Sequence, residues 1–427
     1  MVRRRSWSAR ASMGFKKSAC PAGDAHAYWG FLKAGRIVEI LQVSTNSIRR
    51  LAMESPWNFI PREILSYIFS FLPVRNRILS SYVCQDWADA VSASSVWSFT
   101  EIRFEEDSLE MSQDMLVRIL PYVKHIRSLK IMFDQSREEN RKSTCDLFDM
   151  LTKQKCWLRA LWVICTGISP FCYSGQDILQ SIRRFCQELG TAKIQSLDVR
   201  QMPFALDNMM VGLIAISSPN LRALLINNRA LGFIMVRPET ISDILGICPH
   251  LSILGVPYVS LSVNVFQVML NPSRQPFQHL QIYYNGLFPR IPDEMWRAML
   301  RRNPRFRVGL EFTGEVHPTM LAQILNPVIP VVALRFNDFS CLVEQLTLAA
   351  RNYSRTLFVL ELSTAASDNL NAALIELAKR CANLREVYCY CPVSSEVKIA
   401  FLSHCPKLRR YLLSTARQLC NTPTACQ

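Results

Sequence analysis

From residue 126 onward one apolar pattern keeps returning, L-x-x-L-x-L, and its recurrence restricts the fold more than any other feature of the chain. Indexed by the middle apolar residue, the copies fall at Leu129, Leu161, Leu197, Leu224, Leu254, Leu280, Leu310, Leu334, Leu360, Val387 and Tyr411, with spacings of 24 to 36 residues that become more regular toward the end. A unit of that length cannot bury an apolar face alone, so the copies have to stack. The alternation within each copy has the period of a strand. Between copies lie helical stretches such as "SDNLNAALIELAKRC", in which Leu370, Ala373, Leu374, Leu377, Ala378 and Cys381 share one face. The expectation is an α/β solenoid with strands inside and helices outside. The copy at Leu310 has Phe306 one residue early, which fits either a bulge or a shifted frame.

The period is that of a leucine-rich repeat, and it explains the cysteines. "CPHLSILGVPY" at Cys248, "CANLREVYCYC" at Cys381 and "CPKLRRYLLST" at Cys405 place a thiol three residues ahead of a leucine, while "SPNLRALLINN" puts Ser218 in the same place. A role that survives replacement of sulfur by oxygen is packing at the end of an outer helix rather than thiol chemistry or metal ligation. The chain has 15 cysteines, an odd number at irregular spacings with no Cys-x-x-Cys pair, which favours reduced thiols in the cytosol or nucleus over a secreted disulfide scaffold.

Other function classes find little support. The 6 histidines are scattered, and with 14 glycines in 427 residues no glycine-rich phosphate cradle precedes a helix, so no catalytic constellation, cofactor site or metal site is expected. The long uncharged runs 251–273 and 316–334 contain prolines and polar residues, and no membrane-spanning helix is expected. The net charge of +15 is concentrated in residues 1–52, where ten Lys and Arg face only Asp24 and Glu39. This arm can be read as a solvated extension, as a segment that binds nucleic acid or an anionic membrane, or as a mitochondrial transit peptide. The first reading is the expectation, with neither nucleic acid nor membrane as partner, and "MESPWNFIPREIL" reads like a natural start at Met53.

After residue 54 the texture changes to "SPWNFIPREILSYIFSFLPVRNRILSSYVCQDWADAVSASSVWSFTEIRF". Pro61 and Glu63 suit a helix start, and Ile64, Leu65, Ile68, Phe69 and Leu72 recur at three- and four-residue spacing until Pro73. A second helix is expected from about Arg77 to Ser92, carrying Val83, Cys84 and Trp87, and a third segment reaches Val96 and Trp97. Three short helices cover less apolar surface than this block offers, so it should dock onto something, unless it caps the repeats. "IPREILSYIFSFL", "YVCQDWADAV" and "VWSFTEIRF", in that order and spacing, resemble an F-box, with Asn76 where many F-boxes have aspartate.

Followed by irregular repeats, this arrangement is similar to the F-box/LRR-repeat family, over residues 57 to about 415. The expected organisation is a basic extension over 1–54, read from its charge, then an F-box over 55–104 and leucine-rich repeats over 105–425, as the resemblance implies. The resemblance also implies that Pro61, Ile64, Leu65, Ile68, Leu72, Val83, Cys84, Trp87 and Trp97 bind a Skp adaptor or form the F-box core. Through that adaptor the chain would join a cullin and a RING protein, itself catalysing nothing, as the substrate-recognition subunit of a cytoplasmic or nuclear ubiquitin ligase. The alternative is a repeat scaffold without ubiquitin transfer. Strand alternation places Trp162, Arg200, Tyr283, Arg335, Tyr388 and Tyr390 on the open sheet face, where aromatics and arginines dominate binding. Some of them could instead be covered or belong to the core, and guanidinium geometry at Arg200 and Arg335 would suit a phosphate.

Overall fold

The structure is a computed structural model, and it describes residues 60–415 apart from 105–108, 168–174, 189–193, 205, 229–235, 285–289 and 315. The basic arm lies outside the described residues. Two compact units divide the chain between Val91 and Ser92.

The described part of the first unit is three helices, α1 (Arg62–Ser70), α2 (Val74–Ser80) and α3 (Gln85–Val91). Pro61 stands at the N-cap of α1, and Pro73 lies beyond its last turn and at the N-cap of α2. The single helix expected from Arg77 to Ser92 is two. The hydroxyls of Ser80 and Ser81 bond back to the carbonyls of Asn76 (2.8 Å) and Ile78 (2.6 Å). Tight three-residue bonds Tyr82 N–H to Leu79 O and Val83 N–H to Ser80 O then end α2. Phe69 packs against Trp87 at 5.0 Å between centroids, and the Ser66 hydroxyl donates to the Ala90 carbonyl at 2.9 Å, tying α1 to α3. Arg77 is buried yet satisfied. Its guanidinium donates to the carbonyls of Leu72 and Ser70, both at 2.8 Å, supplying a cation to the C-terminal end of α1. Burial lowers its pKa to about 10, so it stays charged at neutral pH.

Among the described residues the second unit holds one parallel sheet of twelve strands in sequential order. They are β1 (Phe99–Phe104), β2 (Ser128–Phe133), β3 (Ala160–Cys165), β4 (Ser196–Gln201), β5 (Ala223–Leu225) and β6 (Ile253–Pro257), then β7 (His279–Tyr284), β8 (Arg307–Thr313), β9 (Val331–Phe339), β10 (Val359–Thr364), β11 (Glu386–Val393) and β12 (Arg410–Thr415). The helices are α4 (Ser94–Trp97), α5 (Leu109–Ile119), α6 (Glu138–Lys153), α7 (Gln176–Glu188), α8 (Asn208–Ser217), α9 (Pro238–Ile247), α10 (Val263–Met269), α11 (Asp293–Arg302), α12 (Pro318–Ile324), α13 (Val343–Asn352), α14 (Asp368–Arg380) and α15 (Ser395–His404). This is the repeat solenoid expected from the L-x-x-L-x-L pattern. Parallel neighbours need a crossover, and a helix fills it in each regular unit.

Register aligns the middle apolar residues in one row, Leu129, Leu161, Leu197, Leu224, Leu254 and Leu280, all buried. The row then passes to Val308, not Leu310, because Leu280 pairs with Val308. Between β8 and β9 the register shifts: Val308 pairs with Val331 and Gly309 with Ala333, leaving Val332 as an extra residue that brings Leu310 opposite Leu334. Of the two sequence readings of this copy, shifted frame and bulge, both describe part of what is there.

Strand β1 is a twelfth repeat strand, pairing Thr100 with Leu129. Trp97 also belongs to the second unit, where it is fully buried and stacked on Tyr122 at 4.3 Å. Buried there, its ring is core and offers no surface to a partner in the free chain.

The recurring cysteines close the outer helices. Cys248, Cys381 and Cys405 are the C-caps of α9, α14 and α15, and Ser218 is the C-cap of α8. The Cys248 thiol points at the Ser218 carbonyl and the Cys405 thiol at the Cys381 carbonyl, each at 3.6 Å, so each cap touches the cap of the preceding repeat. Asn303, the C-cap of α11, does the same work more strongly, accepting the Phe277 N–H at 2.9 Å and donating to the Met299 carbonyl.

Candidate functional site

Two surfaces carry the candidate residues, one in each unit. In the first, helix α1 has two apolar stripes. Leu65, Phe69 and Leu72 face the core; Leu65 is only 2% exposed. Ile64, 50% exposed, and Tyr67, 65% exposed, face solvent, and Phe71 meets Tyr67 edge-on at 4.9 Å. Leu79 and Tyr82 add further exposed apolar surface from α2 and the turn after it. Of the expected adaptor residues, Pro61 and Ile64 are exposed and Ile68, Val83 and Cys84 half-buried, whereas Leu65, Leu72 and Trp87 are buried in the free chain. Those three support the surface from beneath. Tyr67, Leu79 and Tyr82, which share that exposed apolar surface, were not among the expected residues. The signal for Tyr67 was present, since Ile64, Tyr67 and Phe71 follow three- and four-residue spacing as well as the buried stripe does.

In the second unit, the sheet face turned from the helices carries the six expected binding residues. Trp162, Arg200, Arg335 and Tyr388 are half-buried there and Tyr390 is 51% exposed. Tyr283 is buried, so its ring offers little to a partner. Aromatic surface gathers at the two ends. Phe99 and Trp162 meet at 6.4 Å near the first strands, and Tyr388 and Tyr390 lie on β11 beside exposed Leu412 of β12.

The middle of the face is polar and internally paired. Arg200 forms a two-pronged ion pair with Asp198, Nε to Oδ1 at 2.9 Å and Nη2 to Oδ2 at 2.6 Å. Arg335 Nε donates to Glu361 at 3.1 Å, and the Tyr390 hydroxyl donates to the other oxygen of Glu361 at 3.0 Å. Tyr388 donates to Glu386, which also pairs with Arg410 at 3.5 Å. Arg200 is committed through Nε and Nη2 to Asp198 and is not a ready phosphate receptor, whereas Arg335 engages Glu361 through Nε alone. Burial, reinforced by Arg335 and Arg200, lowers the His279 pKa to about 4, leaving it neutral at pH 7.

The helix-cap cysteines are poor nucleophiles. Burial raises Cys248 and Cys405 to about 11 and Cys381 to about 12. Among the described residues no three His, Cys, Asp or Glu gather as a metal site. Among them, too, no helix is long and apolar enough to cross a membrane.

A block of short helices followed by a parallel-stranded solenoid with an open sheet face defines a protein of the leucine-rich-repeat class. Residues 57–100 match the model of the F-box-like family. The chain is 36% identical to human F-box/LRR-repeat protein 8 over 370 residues, 86% of this chain and 97% of that protein, and 35% identical to the bovine protein of that name over the same span. Mouse F-box/LRR-repeat protein 21 is 21% identical over 385 residues, 85% of this chain and 83% of its own length. This chain belongs to the F-box/LRR-repeat family. F-box proteins of this kind typically act in Skp–cullin–F-box ubiquitin ligases, where the F-box binds the Skp adaptor, and they are generally non-catalytic.

Proposed function

We propose that the chain is the substrate-recognition subunit of a Skp–cullin–F-box ubiquitin ligase. Its F-box holds the Skp adaptor, and through it the cullin and RING protein, while the sheet face of the repeats holds a protein substrate. The observation that carries this reading is the outward stripe of Ile64 and Tyr67 on α1, apolar surface that three short helices leave uncovered. The chemistry is proximity. A substrate lysine held by the repeats meets the charged ubiquitin-conjugating enzyme at a high effective concentration, and no catalytic side chain is required of this chain.

The test is co-purification of the full chain with the Skp adaptor and cullin, followed by ubiquitin transfer to a co-purifying protein in a reconstituted reaction. Adaptor capture with repeat-dependent transfer is expected. Capture of partners without adaptor, cullin or transfer would make the chain a repeat scaffold instead.

A further inference from the structure

Three successive outer helices, α8, α9 and α10, read "NMMVGLIAIS", "PETISDILGI" and "VNVFQVM" and carry only two charged side chains, Glu239 and Asp243. The outer helices on either side differ sharply, α7 reading "QDILQSIRRFCQE" and α11 "DEMWRAMLRR". Helix α8 is apolar on both sides. Met210, Val211, Ile214 and Ala215 are buried, while Met209 is 74% and Ile216 68% exposed, with Leu213 half-buried between them. A helix apolar all round is one that expects cover on its outer side as well.

The neighbouring ridge of α9 has a different character. Glu239, Asp243 and Ile247 follow at four-residue spacing and all are exposed. Neither carboxylate is in an ion pair with any described residue, and Arg237, the N-cap of α9, is the cation nearest in sequence. Gly212 on α8 and Gly246 on α9 have open space where a Cβ would stand, so another backbone can come close to both helices. An apolar ridge thus runs beside an acidic one. The helices stay side by side partly through Asn208, whose side-chain oxygen accepts from the Arg237 N–H at 2.8 Å and from the Thr240 hydroxyl at 2.9 Å.

We infer that the outer face of α8 and α9 is a second docking surface, separate from the sheet face, and that its occupant is an amphipathic helix of a partner protein with Lys or Arg along one edge of its apolar stripe. Apolar residues of that helix cover Met209, Leu213 and Ile216, and its basic edge meets Glu239 and Asp243. Charge selects this occupant over two others. A second copy of the chain brings its own Glu239 and Asp243, and an anionic membrane repels both carboxylates.

The probe is a fluorescent 18-residue synthetic helix with leucine at helical spacing and lysine along one flank, alongside a twin with glutamate in place of lysine. Binding of each to the full chain is read by polarisation. The lysine helix is expected to bind at least tenfold more tightly than its twin. Ile216→Asp should abolish that binding without moving the melting temperature, because the side chain is already solvent-facing, and the double variant Glu239→Lys with Asp243→Lys should reverse the preference. Equal affinity for the two helices, no binding of either at about 100 μM, or indifference to Ile216→Asp overturns the inference. So does an Ile216-dependent dimer in sedimentation, or Ile216-dependent flotation with phosphatidylserine vesicles.

Discussion

Arg200 on β4 reaches Gln281 on β7, with Nη1 2.6 Å from the side-chain oxygen, although two whole strands lie between them. The row that joins the two strands runs Asp198, Leu225, Gly255, Gln281, so the guanidinium bridges the first and last members of one cross-strand row. Glycine at 255 keeps the row low, since a Cβ there would run into Asn227 and approach Leu225 Cδ2 at 2.9 Å. A register shift in β4, where Trp162 pairs with Asp198 but Ile164 with Gln201, accompanies the arrangement and re-aims Arg200.

Arg200 therefore acts first as a strut. Arg200→Ala leaves Asp198, which is buried, without its cation, and the expected loss is about 2 kcal/mol of stability by comparison with charged hydrogen bonds elsewhere. A double-mutant cycle with Gln281→Ala in urea unfolding should return a coupling of at least about 0.5 kcal/mol. Zero coupling would show that the bridge carries no energy.

On the F-box, neighbouring residues should fail in different ways. Ile64→Asp places a charge on a solvent-facing stripe and is expected to abolish adaptor capture while the melting curve stays unchanged. Leu65→Asp puts the same charge into the core, where an unpaired carboxylate costs several kcal/mol, so the F-box unit should unfold and lose the adaptor for that reason. Adaptor pull-down and thermal melting, run on both variants, separate the two mechanisms. Normal capture by folded Ile64→Asp protein would remove this stripe from the interface.

The sequence made the repeat plan legible because strand and helix periods differ, and because the cap cysteine and its leucine hold a fixed spacing. It could not decide the frame of β8. Val308 and Leu310 are both apolar and two residues apart, so a period-two pattern looks the same in either frame, and only pairing with Leu280 separates them. Ile64 against Leu65 met a similar limit, since α1 is apolar on two stripes and periodicity does not say which lies inside. Trp97 shows a third limit: it ends the F-box pattern in sequence while its ring stacks on Tyr122, a contact that no local spacing encodes.

His279 should make the repeats acid-sensitive. Its folded pKa of about 4 lies below the ordinary 6.5, so between those values the unfolded chain binds the proton and the folded chain does not. Stability from this residue is full above pH 6.5 and is lost as pH falls toward 4, a loss on the order of 3 kcal/mol. His279→Gln should flatten that part of the stability-against-pH curve in chemical denaturation. An unchanged slope would mean the imidazole is solvated.

Thiol reactivity should follow burial. Cys341 is exposed, whereas Cys248, Cys381 and Cys405 are buried at helix caps with pKa values raised by desolvation. Among the described cysteines, iodoacetamide at pH 7.5 should label Cys341 first and the three caps only on unfolding, as peptide mapping would show. Cys248→Ser is expected to cost little, since Ser218 already holds the equivalent place on α8. Early labelling of Cys248 in folded protein would point to a reactive role after all.

The sheet face separates exposed rings from buried ones. Tyr390 is half exposed at the end of a chain of contacts from Arg335 through Glu361, which fixes the hydroxyl and leaves the ring surface open. Trp162 stands half-buried beside Phe99. If a substrate docks on this face, Tyr390→Ala and Trp162→Ala should each lose about 2 kcal/mol of affinity, the size of an aromatic anchor, with adaptor capture and melting temperature nearly unchanged. Tyr283→Ala is the contrast: that ring is buried, so truncation should lower the melting temperature, with about 3 kcal/mol lost to the cavity. Affinity for a co-purified substrate and thermal melting, measured on the same three variants, decide the matter. Loss of affinity for Tyr390→Ala and Trp162→Ala without loss of stability would locate the contact on this face. Full affinity in both variants would move it elsewhere on the chain.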